Sequence, residues 1–393
     1  MKEFAKFEKW VGSEINSIEE WIKAQQGSMK PVIYCSVDVR YSGFKTIPVD
    51  TNLFPAGFNN LAEASLQTAA HAIQQYIQNQ FGAVRKILLI PESFTRNTQY
   101  WRNLCALCDI LSDAGYHVRC GVLEAAVLAA QPPCMLDLYE VQKNGKSLRL
   151  RDNWQPDLVL LNNDLSAGIP AILKYIAQPI VPHPQLGWHQ RSKYQHSLKY
   201  AAIAQNCAKE LGFDPWLIMP DIDYCANLNF KDPSSLYKLA EKVDSMIYRI
   251  AEQYKQRGIT EAPYVYIKAD HGTFGMGIMT ARSGDEVLHI NKPRRHSMYA
   301  IKQGMINSSV LLQEGVPTSL NVDTAPLENT FYFCGGQNIG ALSRSNSKRD
   351  QFNNLNSRGA IVGPATTSIA PVQWLAASLA ALAAAAENAV IPT

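Results

Sequence analysis

The strand-like run Pro263 to Lys268 (PYVYIK) ends in a lysine and leads directly into a glycine-rich segment, Ala269 to Met279 (ADHGTFGMGIM). A lysine at a strand end meets a phosphate as a point charge. Glycines such as Gly272, Gly275 and Gly277, with Thr273 among them, let backbone N–H groups approach phosphate oxygens without side-chain interference. The spacing is neither the dinucleotide fingerprint, which needs a crossover helix after the glycines, nor a Walker A loop, which closes on Gly-Lys-Ser/Thr. A plain hairpin turn therefore stays open beside the phosphate reading. Further on, Val310 to Gln313 (VLLQ) reads as a strand, and the bend at Gln313, Glu314 and Val316 can offer an adenine one acidic acceptor, backbone groups and apolar walls.

A second set of polar residues follows the N-terminal strands. Pro31 to Val39 (PVIYCSVDV) runs into Asp38, Arg40, Lys45, Asp50, Asn52, Asn59 and Asn60. Lys86 to Ile90 (KILLI) runs into Glu92, Thr95, Arg96 and Asn97, and Leu158 to Leu161 (LVLL) into Asn162, Asn163 and Asp164. One such loop is ordinary turn chemistry. Three at the same end of one sheet predict a polar pocket. The pair Cys105 and Cys108 has the spacing of a zinc or redox site, but no second pair follows, and Trp101, Leu104, Leu107, Ile110 and Leu111 around it fit the buried face of a helix.

The elements that would hold these residues alternate between strand and helix through the first half, which implies a mostly parallel sheet with helices on its faces. Ligands of such sheets gather beyond the carboxyl ends of the strands. Helices are expected over Leu61–Phe81, Trp101–Ala114, Ile172–Ala177, Tyr194–Leu211 and Leu236–Arg257. The second half is richer in antiparallel elements, with Thr330–Cys334 and Ile339–Arg344 flanking Gly335-Gly336 as a hairpin. The fold class is thus α/β joined to α+β.

Composition sets outer limits. The 393 residues carry 37 Lys+Arg against 34 Asp+Glu, a net charge of +3, and are 47 % hydrophobic. A disordered polyelectrolyte is excluded, and a dedicated nucleic-acid binder would show a larger basic excess. Lys292 to His296 (KPRRH) reads as a solvated face or a further phosphate contact. Residues 1–26 form an amphipathic helix pattern rather than a signal peptide, and the alanine-rich end, Trp374 to Ala389, carries Glu387 and falls short of a membrane span. The expectation is a cytoplasmic protein with eight reduced cysteines and no membrane partner.

A lysine-ended strand, a glycine loop between antiparallel strands and a later strand ending in Gln-Glu resemble an ATP-grasp nucleotide site, in which two α+β lobes hold ATP. The likeness narrows. The run VDVRYSGFKTIPVDTNLFPAGFNNL (Val37 to Leu61) is similar to the hallmark segment of a proteobacterial type of glutamate–cysteine ligase. So are PESFTRNTQYW (Pro91 to Trp101), GWHQRSKYQHS (Gly187 to Ser197), KADHGTFGMGIM (Lys268 to Met279) and LLQEGVPT (Leu311 to Thr318). The resemblance implies ATP- and magnesium-dependent joining of the glutamate γ-carboxylate to the cysteine amine, the first step towards glutathione. Another ATP-grasp carboxylate–amine ligase, or a nucleotide-binding regulatory protein without chemistry, is the alternative.

That reading distributes roles. An N-terminal helix (1–29), an α/β substrate domain (30–185), a lobe with a glycine lid (186–315) and a C-terminal lobe (316–393) are expected, with a local excess of Arg and Lys around the cleft. Lys268 and Arg344 are the catalytic phosphate contacts, and Gly272, Thr273, Gly275, Gly277, Gln313, Glu314 and Val316 complete the nucleotide site. Arg40, Arg96, Arg191 and Lys193 can pair with substrate carboxylates. Asp38, Asp50 and Glu92 can take an ammonium group oriented by Asn52, Asn59 and Asn60. Glu328, Asn354 and Asn356 supply oxygen donors for magnesium.

Overall fold

In Tyr34–Tyr41, apolar and polar residues alternate, so Cys35, Val37 and Val39 enter a hydrophobic core while Ser36, Asp38 and Arg40 share the opposite face. That alternation belongs to an antiparallel strand with one covered face, whereas KILLI and LVLL are continuous apolar runs suited to a parallel sheet covered on both sides. The computed structural model bears out the distinction; it describes residues 2–93, 97–129, 136–272, 277–299, 307–365 and 369–391. Tyr34–Tyr41 is not the first strand of the parallel sheet, as its position in the chain suggests. It pairs antiparallel with Thr46–Asn52 on one side and with Ala325–Cys334 on the other. Ala325–Cys334 in turn pairs with Gln337–Ser345, which pairs with Ile361–Pro364. The Gly335-Gly336 turn between the hairpin strands has φ +57° and +84°, the left-handed region a two-residue hairpin requires. We call this the terminal sheet, since it draws strands from both ends of the chain.

The parallel sheet has the order Ser147–Leu150, Leu138–Asn144, His117–Val122, Lys86–Pro91, Leu158–Asn162, Ile180–Val181, with only the first of these antiparallel to its neighbour. Glu63–Phe81 and Thr98–Asp113 cover it. Asn97 caps the latter by accepting from the N–H groups of Gln99 and Tyr100. The helix expected over 172–177 is reduced to one turn, Ala171–Leu173. The third, antiparallel sheet runs Ile278–Ala281, Val265–Ala269, Ser309–Glu314, Ile222–Ala226. It carries Lys268, and we call it the lysine sheet. Val265, Ile267, Val310 and Leu312 on its outer face pack on the helix Pro233–Gln256.

Pro371–Ala389 is buried along nearly its whole length against the terminal sheet and the helix Lys193–Leu211. Its alanines allow that close approach. The N-terminal segment forms two helices, Lys2–Ser13 and Ile15–Gly27, rather than one, and both pack on the alanine-rich helix. No described helix is long and apolar enough to cross a membrane. Among the described cysteines one departs from expectation: Cys105 is disulfide-bonded, while Cys35, Cys108, Cys120, Cys207, Cys225 and Cys334 are free. Cys105 and Cys108 are thus not joined to each other.

Candidate active site

The polar face of the terminal sheet is laid out by register. Asp38 stands opposite Asp50 on one neighbour and opposite Thr330 on the other, and Glu328 stands opposite Arg344. The loops after Lys86–Pro91 and Leu158–Asn162, adjacent parallel strands with Pro91 beside Asn162, face it. Between them lies a cavity of about 260 Å³ whose walls include Asp38, Asp50, Asn52, Asn59, Asn60, Glu92 and Arg344. Six of the expected substrate residues therefore meet in one place. Two of the three polar loops do come from one edge of a parallel sheet; the third arrives from the opposing sheet.

A second cavity of about 40 Å³ adjoins the first, sharing Asp38, Asp50 and Asn356 with it. It brings Lys268 of the lysine sheet together with Arg40, Glu328 and Asn354. The lysine sheet is held to the terminal sheet here: the Lys268 ammonium donates to the Val49 carbonyl and to Gln313 Oε1, and Gln313 Nε2 donates to the Pro48 carbonyl at 3.1 Å.

Charge runs through this region in a paired lattice. Glu328 accepts from Arg40 Nε at 2.7 Å and from Arg344 Nη1 at 2.8 Å. Arg344 Nη1 also reaches Asp38 Oδ2 at 3.2 Å, and the Thr330 hydroxyl donates to Asp38 Oδ1 at 2.6 Å. Burial raises the Glu328 carboxyl, but the two guanidiniums outweigh it and hold the group below the usual range. At Asp38 burial wins over Arg344, with Glu328 adding repulsion, and the carboxyl is raised. Burial also acts on Asp50, yet Lys193, at 2.8 Å, and Lys268 bring it down to about 2. Lys268 is lowered to about 8, chiefly because burial disfavours its charged form.

Several expected residues have other employment. Arg40 spends its remaining nitrogens on the carbonyls of Gln351 (3.0 Å) and Asn353 (2.6 Å), which anchors the loop carrying Asn354 and Asn356. Arg191 makes a two-point contact with Glu387 at 2.7 and 3.2 Å and donates to the Thr51 carbonyl, tying the alanine-rich helix to the terminal sheet. Lys193 stands over the Trp188 ring at 3.9 Å while holding Asp50. Strand alternation sends Gln313 and Glu314 to opposite faces: Gln313 meets Lys268, whereas Glu314 is buried against Lys45 Nζ at 2.6 Å and the Asp221 N–H at 2.9 Å. Val316 is fully buried. Gly272 and Gly277, with φ +133° and +64°, bracket the glycine loop; Thr273 and Gly275, like Thr95 and Arg96, lie outside the described residues. Lys292–His296 lies on the helix Lys292–Tyr299 and lines neither cavity.

In the walls of these two cavities Arg40, Lys268 and Arg344 stand with Asp38, Asp50, Glu92, Asp164 and Glu328. An adjoining cavity that shares Asp50 and Trp188 adds Arg191 and Lys193, so described cations and acids are matched rather than cations standing in excess. The reason lies in desolvation, since buried guanidiniums require carboxylate partners. The cavity also draws on Trp188, Thr330, Tyr332 and Tyr100, which the sequence reading had not assigned to the site. Arg344 Nε is buried and has no hydrogen-bond partner among the described residues.

Residues 8–387 match the family model described as GshA, glutamate-cysteine ligase. The chain is similar to a crystal structure from Methylobacillus flagellatus KT, provisionally described as a γ-glutamylcysteine synthetase. The two are 35 % identical with a TM-score of 0.89, covering 98 % of this chain and 96 % of that one. D-alanyl-alanine synthetase A from Vibrio cholerae O1 biovar eltor gives a TM-score of 0.40 at 14 % identity over 78 % of this chain and 79 % of that one, a likeness too slight to bear on the site. Among curated proteins none matches.

Proposed function

The chain belongs to the glutamate–cysteine ligase family, and we propose from that premise that it joins the glutamate γ-carboxylate to the cysteine amine in its two adjoining cavities, at the expense of ATP and through an acyl phosphate. It is a ligase; a regulatory protein without chemistry is not favoured. The observation that carries the site reading is the convergence of Lys268 from one sheet and the Arg344–Glu328–Arg40 lattice from another on one junction, beside a cavity rich in carboxylates and amides.

The chemistry requires that arrangement. A carboxylate is a poor electrophile, and transfer of a phosphoryl group from ATP gives it a good leaving group. Cationic side chains must neutralise charge on the moving phosphoryl group. Lys268 and Arg344 serve there in this reading, and the orphaned Arg344 Nε is a donor that an anionic ligand would satisfy. The glycine loop with Gly272, Thr273, Gly275 and Gly277 and the Gln313–Val316 bend would hold the nucleotide. The carboxylates and amides of the described walls suit substrate ammonium groups. No group of three or more His, Cys, Asp or Glu among the described residues is placed to hold a metal ion, so a magnesium site here would lean on amide oxygens. Glu328, Asn354 and Asn356 are the residues that would hold magnesium, which would supply charge neutralisation there. Asp38, Asp50 and Glu92 would take the ammonium groups, with Asn52, Asn59 and Asn60 orienting them. Arg96 would meet a substrate carboxylate, with Lys193 beside that carboxylate while holding Asp50, and Arg40 and Arg191, occupied by Glu328 and Glu387, would brace the site. In this reading the lobes 186–315 and 316–393, the second completed by strands from 30–185, close on the nucleotide as in an ATP-grasp enzyme, in the cytoplasm and without a nucleic-acid partner.

The test is ADP release with ATP, magnesium, glutamate and cysteine, together with mass detection of the dipeptide. ADP formation that requires both amino acids is expected. Tight ATP binding with no amino-acid-dependent turnover would remove the proposal.

A further inference from the structure

The segment from Pro55 to Asn60 contains one short turn, Phe58–Asn60, yet it carries Asn59 and Asn60 into the larger cavity. What holds it is a pair of buried amides on two other elements. Asn103, on the helix Thr98–Asp113 and fully buried, accepts through Oδ1 from the N–H groups of Gly57 (2.8 Å) and Phe58 (3.1 Å). Its Nδ2 donates to Oδ1 of Asn162 at 3.2 Å. Asn162, at the end of Leu158–Asn162 and 1 % exposed, sends its own Nδ2 to the Pro55 carbonyl at 2.9 Å.

The chain of bonds has a direction. Each carboxamide has one end that only accepts and one that only donates. Turning either over would set like groups face to face in a buried site, where an unmet polar group is costly. The Tyr332 hydroxyl closes the loop from the far side by donating to the Ala56 carbonyl at 2.6 Å. Gly57 fits beneath it at φ +110°, where an added Cβ would stand 2.8 Å from that hydroxyl. Asn103 is moreover a weak helix former set among Tyr100, Trp101, Leu104 and Leu107 on a buried apolar face, where packing alone would favour leucine.

We propose that Asn103 is a positioning residue for the amino-acid substrates: through Asn162 and the Pro55–Phe58 backbone it fixes where Asn59 and Asn60 stand in the cavity, without lining the cavity itself. This rests on the reading of that cavity as the amino-acid site. Asn103→Asp keeps the side-chain volume and both accepted N–H bonds but places an oxygen against Asn162 Oδ1. Kinetics of the full-length enzyme, with glutamate, cysteine and ATP varied in turn, should show the KM of one amino acid rising by about tenfold while that for ATP stays within about twofold. Adding Asn60→Ala to Asn103→Asp should cost less than the sum of the two separately. Unchanged amino-acid KM values in a folded variant, a parallel rise in all three KM values, or a fully additive cycle each overturns the inference. If the Asp variant does not fold, Asn103→Ser is read by the same criteria. Asn60→Ala alone checks the cavity: if it moves neither amino-acid KM, the site reading fails and the positioning role with it. An Asn60 effect without an Asn103 effect sinks the positioning role only.

Discussion

Lys268 donates to a carbonyl and a carboxamide rather than to a carboxylate, so its burial is compensated incompletely and its pKa falls from 10.5 to about 8. Two quantities should then move in opposite directions with pH. Between pH 8 and 10.5 the unfolded chain still holds this proton while the native ammonium has released it, so the lysine's contribution to stability rises across that window. ATP use depends in our reading on the charged form, and should fall over the same range. Relative to Lys268→Met, the wild type should gain in melting temperature from pH 8 upward, while its KM for ATP increases. The variant should show a raised KM for ATP at neutral pH with its fold intact. A wild-type ATP KM that is flat through pH 9.5, well beyond the lysine's pKa of about 8, would contradict the role. This lysine was legible in the sequence because a strand end and glycines sit next to it. Arg40 and Arg191 were not, because their partners Glu328 and Glu387 arrive 288 and 196 positions away. Residue type announces a guanidinium; only the fold shows whether it is already occupied.

At the scale of elements, the parallel strands and long helices could be read from apolar runs and helical spacing. The sheet membership of Tyr34–Tyr41 was also encoded, in its alternation, but position in the chain argued the other way. The alanine-rich helix Pro371–Ala389 shows what spacing cannot convey. Towards its C-terminal end a buried cluster fastens it, in which Glu387 accepts from Arg191 and contacts His196 of the helix Lys193–Leu211. Burial raises the Glu387 carboxyl, but Arg191 and His196 outweigh it and bring it from 4.5 down to about 2. A depressed carboxylate stabilises the fold above its unfolded pKa, and that contribution disappears as pH falls from 4.5 towards 2. Glu387→Gln should lose about 3 kcal/mol in urea unfolding at neutral pH, since it leaves Arg191 buried without its countercharge. The deficit should shrink steadily as the wild type is acidified through that window. Equal stability of the two proteins at neutral pH would show that the cluster does not fasten the helix.

For the whole molecule, the net charge of +3 concealed a site in which buried cations and acids are closely matched at the described cavity walls. It also could not reveal that the site is assembled across the full length of the chain. Tyr34 pairs opposite Cys334, so the polar face bearing Asp38 and Glu328 forms only when the last quarter of the chain returns to the first. The same return supplies core: Phe331, Phe333, Val372, Leu375 and Leu379 share one cluster with Val37 and Val39 of the terminal sheet and Ile90 and Leu161 of the parallel sheet. Contacts of such separation carry a loop-closure entropy that must be met before they reward closure. A chain ending at Leu320 keeps every strand of the parallel sheet and the lysine sheet, but leaves Tyr34–Tyr41 as an open edge over an uncovered apolar face. It should aggregate or bind hydrophobic dye, and give no cooperative melt. Co-expression of the missing 321–393 segment should restore a soluble two-piece enzyme with ADP release. If the shortened chain instead melts cooperatively as a monomer, the first 320 residues fold by themselves, and the terminal sheet is an accessory to the fold instead of its closing step.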